Sequence, residues 1–332
     1  MLMHLLAGDI GGTKTWLALY EYQDGDFQCR EQSKYRSADF HGLAPMLRVF
    51  LGEKVQHIRH AAFGVAGPVV NNSCKATNLP WRIEGEALQR ELGIQCVHLM
   101  NDFDAIAWGI DSLGHDDVCI LQEAPTVPNA PQAIIGAGTG LGEAIVVPMP
   151  SGEKRVLSSE GGHVDFAARN DEEIDLLRFL LKRHARVSYE RVVSGPGLVT
   201  LYEFIVASGR AATTDIVRKR MANEDAGAVI GACALEGSDE ACVRAARLFV
   251  SLYGAEAGNL ALTCLPRGGL FIAGGITAKL LPLMQAGPFM ESFKHKGRMS
   301  PLLDSIPITL IRDSQVGLLG ARNKAWQLSQ HP

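Results

Sequence analysis

Two glycine-rich hairpins, far apart in the chain, restrict the possible folds more than any other feature of the sequence. The apolar run Leu5–Ile10 leads through Gly-Gly-Thr-Lys into Thr15–Tyr20, which predicts a strand, a tight turn and a returning strand. The pattern recurs where Ala133–Gly136 leads through Ala-Gly-Thr-Gly-Leu-Gly into Glu143–Val147. A repeated strand–turn–strand unit predicts two related halves.

Strand and helix patterns alternate along the rest of the chain, which favours the α/β class. Further strands are predicted at Ile58–Val65, Cys96–Met100 and Gly269–Ile272, and helices at His41–Leu51, Glu84–Leu92, Phe103–Ile110 and Asp171–His184. The last of these helices has Ile174, Leu177 and Leu181 at core spacing, with Asn170 or Asp171 as its cap.

Polar and proline-rich stretches indicate where the halves divide. Asp111–Asp117 is polar, and Leu121–Gln132 has three prolines and is predicted to be a loop. Val316–Gly320 opens a terminal helix that we expect to return to the first half. We therefore expect a smaller domain of residues 1–112 plus 316–332 and a larger one of residues 113–315.

Composition excludes several classes of protein. The 332 residues are 47% hydrophobic with a net charge of −4, which suits a core-forming chain and leaves no basic field for nucleic acid or an anionic membrane. The start lacks a basic signal-peptide region, and charges interrupt Val243–Leu265, so neither export nor a membrane span is expected. Seven scattered cysteines predict free thiols in the cytoplasm rather than a zinc site or disulfides.

The segment Asp9–Lys14 joins a strand-end carboxylate to two glycines, a hydroxyl and an amine. Glycines let backbone N–H groups approach phosphate oxygens closely, and Asp9 is suited to hold a hydrated Mg²⁺. Thr13 and Lys14 are suited to donate to phosphate. The alternative is an ordinary tight hairpin, for which Gly-Gly suffices.

The second glycine turn, Gly136–Gly142, resembles a dinucleotide-binding fingerprint in composition only. A Rossmann loop opens a helix, whereas Glu143–Val147 has the pattern of a strand. Together with the first turn, it predicts the second half of a phosphate clamp.

Further polar residues stand where α/β proteins collect their functional groups. Asn101 and Asp102 follow an apolar strand, where they serve either a site or the cap of the next helix. In Glu160-Gly161-Gly162-His163-Val164-Asp165-Phe166, a carboxylate and an imidazole share a small volume, which suits binding of vicinal hydroxyls. Asp165 orients His163 or serves the turn, and Glu190 is either a third carboxylate of the site or a surface residue.

Taken in order, the segments DIGGTK, ND, GAGTGLG, EGGHVDF, ERVVSGPGL and FIAGGI resemble the bacterial ATP-dependent glucokinase family of the actin/hexokinase/Hsp70 superfamily. The resemblance extends from Gly8 to about Gly320, and EGGHVDF followed by SGPGL is its most specific part. It implies two ribonuclease H-like, actin-like ATPase domains with a cleft between them. Lys14 and Gly64–Val69 are more similar to the ROK sugar kinases, whose cysteine-rich zinc motif this chain lacks.

The resemblance implies a role for each matched residue, with Asp102 as the general base that takes the proton of the sugar 6-hydroxyl. Sugar ligands are implied at Asn78, Asn101, Asp102, Glu160, His163 and Glu190. Contacts to ATP are implied at Gly8, Asp9, Ile10, Gly11, Gly12, Thr13, Lys14, Gly138, Thr139, Gly140, Gly274 and Gly275. The implied partners are glucose, ATP and Mg²⁺, with the ion at Asp9 through water, and the implied assembly is a cytoplasmic homodimer.

Three other functions share part of these features. A broader hexose kinase, acting on mannose, fructose or an amino sugar, would have the same motifs. A sugar-responsive regulator would need a helix-turn-helix before the core, for which the position of Asp9 leaves no room. A chaperone-like ATPase would share both phosphate loops but has no use for Glu160, His163 and Glu190.

Overall fold

A computed structural model of the chain describes residues 2–76, 79–151 and 153–330. The strands are β1 Met3–Ile10, β2 Lys14–Gln23, β3 Asp26–Arg36, β4 His60–Val65, β5 Val69–Val70, β6 Ser73–Lys75, β7 Arg82–Glu84, β8 Cys96–Asn101, β9 Val118–Gln122, β10 Gln132–Ala137, β11 Leu141–Pro148, β12 Lys154–Ser159, β13 Gly269–Ala273 and β14 Ile308–Ile311.

The α-helices lie between or after these strands and, from residue 171 to residue 264, follow one another without an intervening strand. They are α1 Leu43–Leu51, α2 Gly85–Leu92, α3 Asp102–Gly109, α4 Asp171–Leu181, α5 Gly195–Ala207, α6 Asp215–Met221, α7 Ala226–Glu236, α8 Glu240–Cys264, α9 Gly275–Lys279, α10 Leu281–Gln285, α11 Pro288–Lys294, α12 Ser300–Leu303 and α13 Val316–Gln330. In the described part of the chain, no helix has the length and apolar character that crossing a membrane requires.

The chain divides into two compact units. Unit 1 comprises Met1–His115 and Asp313–Pro332, and unit 2 comprises Asp116–Arg312. These bounds lie within a few residues of the domain limits expected from the sequence, which themselves remain a prediction.

Unit 1 is built on a five-stranded sheet with the order β3-β2-β1-β4-β8. The first three strands form an antiparallel meander, and β4 and β8 run parallel to β1. Successive side chains of a strand point to opposite faces, so Leu6 and Ile10 pack against α1 while Leu5 and Ala7 pack against α13. The terminal helix therefore covers the first sheet, as expected.

Unit 2 repeats this arrangement in a six-stranded sheet with the order β12-β11-β10-β13-β14-β9. Again an antiparallel meander is followed by two strands parallel to its first strand, and β9 adds an antiparallel edge. The twin hairpins thus belong to two ribonuclease H-like halves, which confirms the expected fold class.

The long helix α8 holds the strand ends of unit 2 in place. Tyr253 is fully buried, and its hydroxyl lies 3.2 Å from the carbonyl oxygens of Ile135 and Ala273 and from the amide of Ala137. One side chain thereby ties the end of β10 to the end of β13. Both glycine turns of unit 2 start from these two ends.

Two of the three residues predicted to form the core face of α4 are exposed, whereas the third, Leu177, is partly buried and packs against the core. Ile174 and Leu181 are 37% and 49% exposed, and the helix ends at Leu181 rather than at His184. The inward residues include Glu173, which is 1% exposed and forms an ion pair with Arg169. Because the charged Glu173 faces inward, the spacing of apolar residues did not identify the buried face of the helix. The Asn170 cap is confirmed, since its Oδ1 accepts from the Glu173 amide at 3.0 Å.

Several strands escaped the sequence analysis. β3 alternates between exposed and partly exposed residues, so it carries little apolar signal. β9 occupies Val118–Gln122, so the first residues of the loop expected at Leu121–Gln132 belong to a strand instead. These are edge strands of their sheets, where pairing with one neighbour decides the structure more than burial does.

Candidate active site

The first glycine turn of unit 1 is held by backbone and hydroxyl contacts. The Gly11 amide donates to the Lys14 carbonyl at 3.0 Å, and the Ser37 hydroxyl donates to the Gly11 carbonyl at 2.8 Å. Ser37 also lies 3.0 Å from the Thr15 hydroxyl. Thr13 and Lys14 stand exposed at the tip, where they are accessible to a phosphate group.

The carboxyl ends of the parallel strands bring the polar groups of unit 1 to one edge of the sheet. In the strand register, Asp9 is paired with Gly64 and Gly64 with Met100, so Asn101 and Asp102 come directly after the residue that is level with Asp9. A Cβ on Gly64 would lie 2.8 Å from the Ala105 methyl group, so the glycine lets α3 pack closely on β4.

Asn101 caps α3, and Asp102 begins that helix. The Asn101 Oδ1 accepts from the Phe103 amide at 2.9 Å, and its Nδ2 donates to the Gly67 carbonyl at 3.1 Å. The Asp102 Oδ1 also accepts from Phe103, at 3.1 Å. The capping role considered for this dipeptide therefore belongs mainly to Asn101, while Asp102 keeps a second oxygen for other chemistry.

Both carboxylates of this edge bind protons more tightly than an ordinary aspartate. Burial raises the pKa of Asp9 to about 6. Burial and then the neighbouring charge of Asp9 raise the pKa of Asp102 to about 7, while the Phe103 amide opposes the shift. A carboxylate with a pKa near neutrality is suited to accept a proton during a reaction.

The start of α13 also reaches this edge, which the sequence analysis did not predict. A Cβ on Gly317 would lie 3.7 Å from the carboxyl carbon of Asp9. Glycine at the first turn of α13 thus allows the helix to approach the carboxylate. The sequence signal for this contact was a glycine near the start of a predicted helix. No neighbouring residue in the sequence connected that glycine with Asp9.

In unit 2 the second glycine turn meets the start of α5. The Gly138 amide donates to the Gly140 carbonyl, and the Gly195 amide donates to the Gly138 carbonyl, both at 2.8 Å. The turn is followed by β11 and not by a helix, which confirms that it is no dinucleotide-binding loop. Thr139 is exposed at its tip.

Gly274 lies beside this turn in a backbone conformation that favours glycine. Its φ is +102°, and a Cβ there would lie 2.2 Å from the Ala137 carbonyl oxygen. Gly275 begins α9, and a Cβ there would meet no atom of the described chain within 4 Å. Position 274 therefore requires glycine, whereas position 275 leaves open space.

Glu160, His163 and Glu190 come together on the surface of unit 2. The His163 Nε2 lies 3.9 Å from a Glu160 oxygen, and its Nδ1 lies 3.9 Å from a Glu190 oxygen. Both separations exceed hydrogen-bond length, so the three side chains are not hydrogen-bonded to one another. The side chains of Glu160 and His163 are 74% and 53% exposed, and that of Glu190 is 30% exposed.

Backbone pairing brings Glu190 to the turn that carries the other two residues. The Tyr189 amide donates to the Val164 carbonyl and the Phe166 amide to the Val187 carbonyl, each at 3.0 Å. The Glu190 Oε2 accepts from the Leu141 amide at 3.1 Å, directly after the second glycine turn. Glu190 is thus a residue of the candidate site.

Asp165 belongs to the structure of this region rather than to the cluster. The Arg186 Nη1 donates to the Asp165 carboxylate and to the His163 carbonyl, both at 2.8 Å. Asp165 is therefore held by Arg186 and does not orient the imidazole. Asn78 lies outside the described residues.

The chain is similar to known proteins over nearly its whole length. The family model described as glucokinase matches residues 6–328. A glucokinase of Nostoc sp. is 46% identical, and the alignment covers 96% of this chain and 97% of that protein.

Solved structures agree with this match. A glucokinase from an Antarctic psychrotroph, at 32% identity, has a TM-score of 0.83, with 98% of this chain and 99% of that chain covered. A ROK-family glucokinase from Streptomyces griseus, in complex with glucose and AMPPNP, has a TM-score of 0.64 at 19% identity, with coverage of 98% and 99%. The latter likeness concerns the fold alone.

Proposed function

The chain belongs to the glucokinase family, and we propose that it transfers the γ-phosphoryl group of ATP to the 6-hydroxyl of D-glucose, giving glucose 6-phosphate and ADP. The observation that carries this proposal is the cluster of Glu160, His163 and Glu190. Two carboxylates and an imidazole that do not bond to one another suit the hydroxyl groups of a sugar. An ATPase without a sugar substrate has no use for such a cluster.

We propose that Asp102 acts as the general base. Its carboxylate accepts the proton of the sugar 6-hydroxyl while the hydroxyl oxygen attacks the γ-phosphorus and ADP departs with the electrons of the broken P–O bond. Positioning and charge stabilisation dominate phosphoryl transfer. Beyond these, the protein needs to supply little more than a base next to the attacking oxygen. Asn101 and Asn78 are assigned to the same sugar.

We assign the nucleotide to the glycine turns of both units. The segments Gly8–Lys14 and Gly138–Gly140 contact the phosphates through the backbone at the tips of their turns, with Thr13, Lys14 and Thr139 as side-chain donors. Gly274 and Gly275 border the adenosine. The exposed tips of both turns and the glycine requirement at position 274 support this assignment.

Asp9 fits the magnesium ion that accompanies ATP. Oxygen donors suit Mg²⁺, which commonly binds one or two carboxylates and retains several waters. Since the described residues contain no cluster of three or more metal-ligating side chains, we assign the ion to Asp9, through water, and to phosphate oxygens. Bound there, Mg²⁺ neutralises charge that develops on the γ-phosphoryl group.

We also propose that the chain acts in the cytoplasm as a homodimer. All seven cysteines are free thiols, as a reducing compartment would keep them. The dimer rests on the family resemblance.

The function is tested by initial rates of ADP formation with Mg·ATP and a panel of sugars. The panel contains glucose, mannose, fructose, glucosamine, N-acetylglucosamine and a sample without sugar. We expect strong dependence on glucose. Similar rates on several sugars would establish the broader hexose kinase instead, and ADP formation independent of every sugar would refute the proposal.

The raised pKa of Asp102 predicts a pH dependence. A general base must be ionised to accept a proton, so kcat/KM for glucose should rise with pH in a range above the pKa of an ordinary aspartate, because burial raises the pKa of Asp102. An ordinary aspartate, with a pKa of about 3.9, would give a flat profile above about pH 5.5. The measurement is kcat/KM for glucose at saturating Mg·ATP from about pH 5.5 to 8.5. A kcat/KM that does not fall toward the low end of this range would contradict the assignment of Asp102 as the base.

A further inference from the structure

A buried carboxyl group lies directly behind the turn that carries Glu160 and His163. Glu143, on β11, is 5% exposed, and its Oε1 has no hydrogen-bond partner among the described residues. Its Oε2 faces Gly161, since a Cβ on that glycine would lie 1.8 Å from this oxygen. The carboxyl group therefore occupies the space behind the turn, and any side chain at position 161 would displace it.

The same turn is anchored by the residue opposite Glu143 in the sheet. Glu143 is paired with Ser159 across the β11–β12 ladder, and the Ser159 hydroxyl accepts from the Gly161 amide at 3.0 Å. Gly162 also packs on β11, where a Cβ would lie 2.0 Å from the Leu141 carbonyl oxygen. The turn thus rests on β11 along its whole length, with Glu143 at its centre.

The surroundings of Glu143 favour a neutral carboxyl group. The other ionisable groups near it are Glu256, Tyr253 and Cys264 on α8, and Glu256 is 3% exposed. Burial and then the charge of Glu256 raise the pKa of Glu143 to about 8. Two buried carboxylates cannot both remain ionised at low cost, so these surroundings favour the protonated form of Glu143.

A second contact from the same region reaches Tyr189, the residue before Glu190. The Asn259 Nδ2 donates to the Glu256 Oε2 at 2.8 Å and to the Tyr189 hydroxyl at 3.3 Å. Lys296 donates to the Asn259 Oδ1 from the other side. Tyr189 directly precedes Glu190, so both segments of the sugar cluster stand on one buried polar layer.

We propose that Glu143 is a positioning residue for sugar phosphorylation. Its buried carboxyl group packs against Gly161 and fixes the turn, so that Glu160 and His163 face the sugar hydroxyls. This inference rests on the proposed function, because a positioning role has meaning only if these two residues bind the sugar.

The test compares Glu143→Ala with Glu143→Gln, which keeps the shape and neutrality of the protonated side chain. For Glu143→Ala we expect the KM for glucose to rise about 5- to 10-fold, the size of one misplaced hydrogen bond, with a change in kcat below about twofold. The amides of segment 159–164 should exchange hydrogen faster. In Glu143→Gln, the KM for glucose and the amide exchange rates of segment 159–164 should both stay within about twofold of the values for the unmodified chain.

Ile134→Ala is the matched control, because Ile134 is fully buried on the neighbouring strand β10. It should lower the Tm without faster exchange in segment 159–164. The inference is overturned if Glu143→Ala changes neither the KM nor the exchange, if Glu143→Gln is as damaging as Glu143→Ala, or if Ile134→Ala reproduces the effect. An unmodified chain without glucose-dependent turnover refutes the proposed function instead, and the exchange data still decide whether Glu143 holds the turn.

Discussion

Replacement of Asp102 by Asn is expected to lower kcat by about 10²- to 10⁴-fold, the usual contribution of a general base. The amide occupies the same volume and can still accept from the Phe103 amide, so the start of α3 should keep its structure. Only the ability to take the proton of the sugar hydroxyl is lost. Steady-state rates of ADP formation at saturating glucose and Mg·ATP measure the effect.

The folded state should not suffer from this substitution. Burial raises the pKa of Asp102 to about 7, so the folded chain binds that proton more tightly than the unfolded chain does. The contribution of this group to stability is therefore present below a pH of about 4 and is lost as the pH rises to about 7. Removing the charge should leave the Tm at alkaline pH equal to or above that of the unmodified chain.

Asp104→Asn provides the control for Asp102→Asn. Asp104 lies in the first turn of the same helix, and its substitution removes the same charge. We expect kcat to stay within about twofold, because Asp104 has no assigned role toward either substrate and is the smallest contributor to the raised pKa of Asp102. An unchanged kcat in Asp102→Asn, or an equal loss in both variants, would exclude Asp102 as the base.

Glu160→Ala is expected to raise the KM for glucose by about 10- to 100-fold, the equivalent of losing a hydrogen bond to a charged group. The side chain of Glu160 is 74% exposed, so the fold does not depend on it, and its removal should act on sugar binding. The KM for ATP should remain close to that of the unmodified chain. Initial rates over a range of glucose concentrations, at saturating Mg·ATP, measure the effect.

Asp165→Ala is the matched control for this second substitution. It removes a carboxylate from the same segment, but one that forms an exposed ion pair with Arg186. Such pairs contribute little, so the KM for glucose should change by no more than about twofold. Equal KM values for the two variants would show that Glu160 does not bind the sugar.

Local pattern predicted those parts of the fold whose determinants are local. The two hairpins follow from apolar runs joined by glycine turns, and the Asn170 cap follows from one polar residue before a helix. The edge strand β3 and the inward face of α4 escaped prediction. β3 is held by pairing with β2, and α4 is turned by the buried ion pair of Glu173, neither of which apolar spacing reports.

The site shows the same division between local and distant determinants. The residue types were readable from the sequence, because a strand-end carboxylate and the Glu-Gly-Gly-His turn each carry a chemical meaning on their own. The approach of Glu190 to His163 was not readable, since it depends on backbone pairing between Val164–Phe166 and Val187–Tyr189. Nor was the burial of Glu143, which depends on how the turn packs on β11.

The sequence alone determined the order of the motifs, the internal repeat and the set of candidate residues, since these depend on neighbours within a few positions. Only the tertiary structure decided which carboxylates have raised pKa values and which polar side chains share a surface. Burial and the spacing of charges set a pKa, and both arise from residues far apart in the chain. Asp9 raises the pKa of Asp102 because parallel strands end at one edge of a sheet.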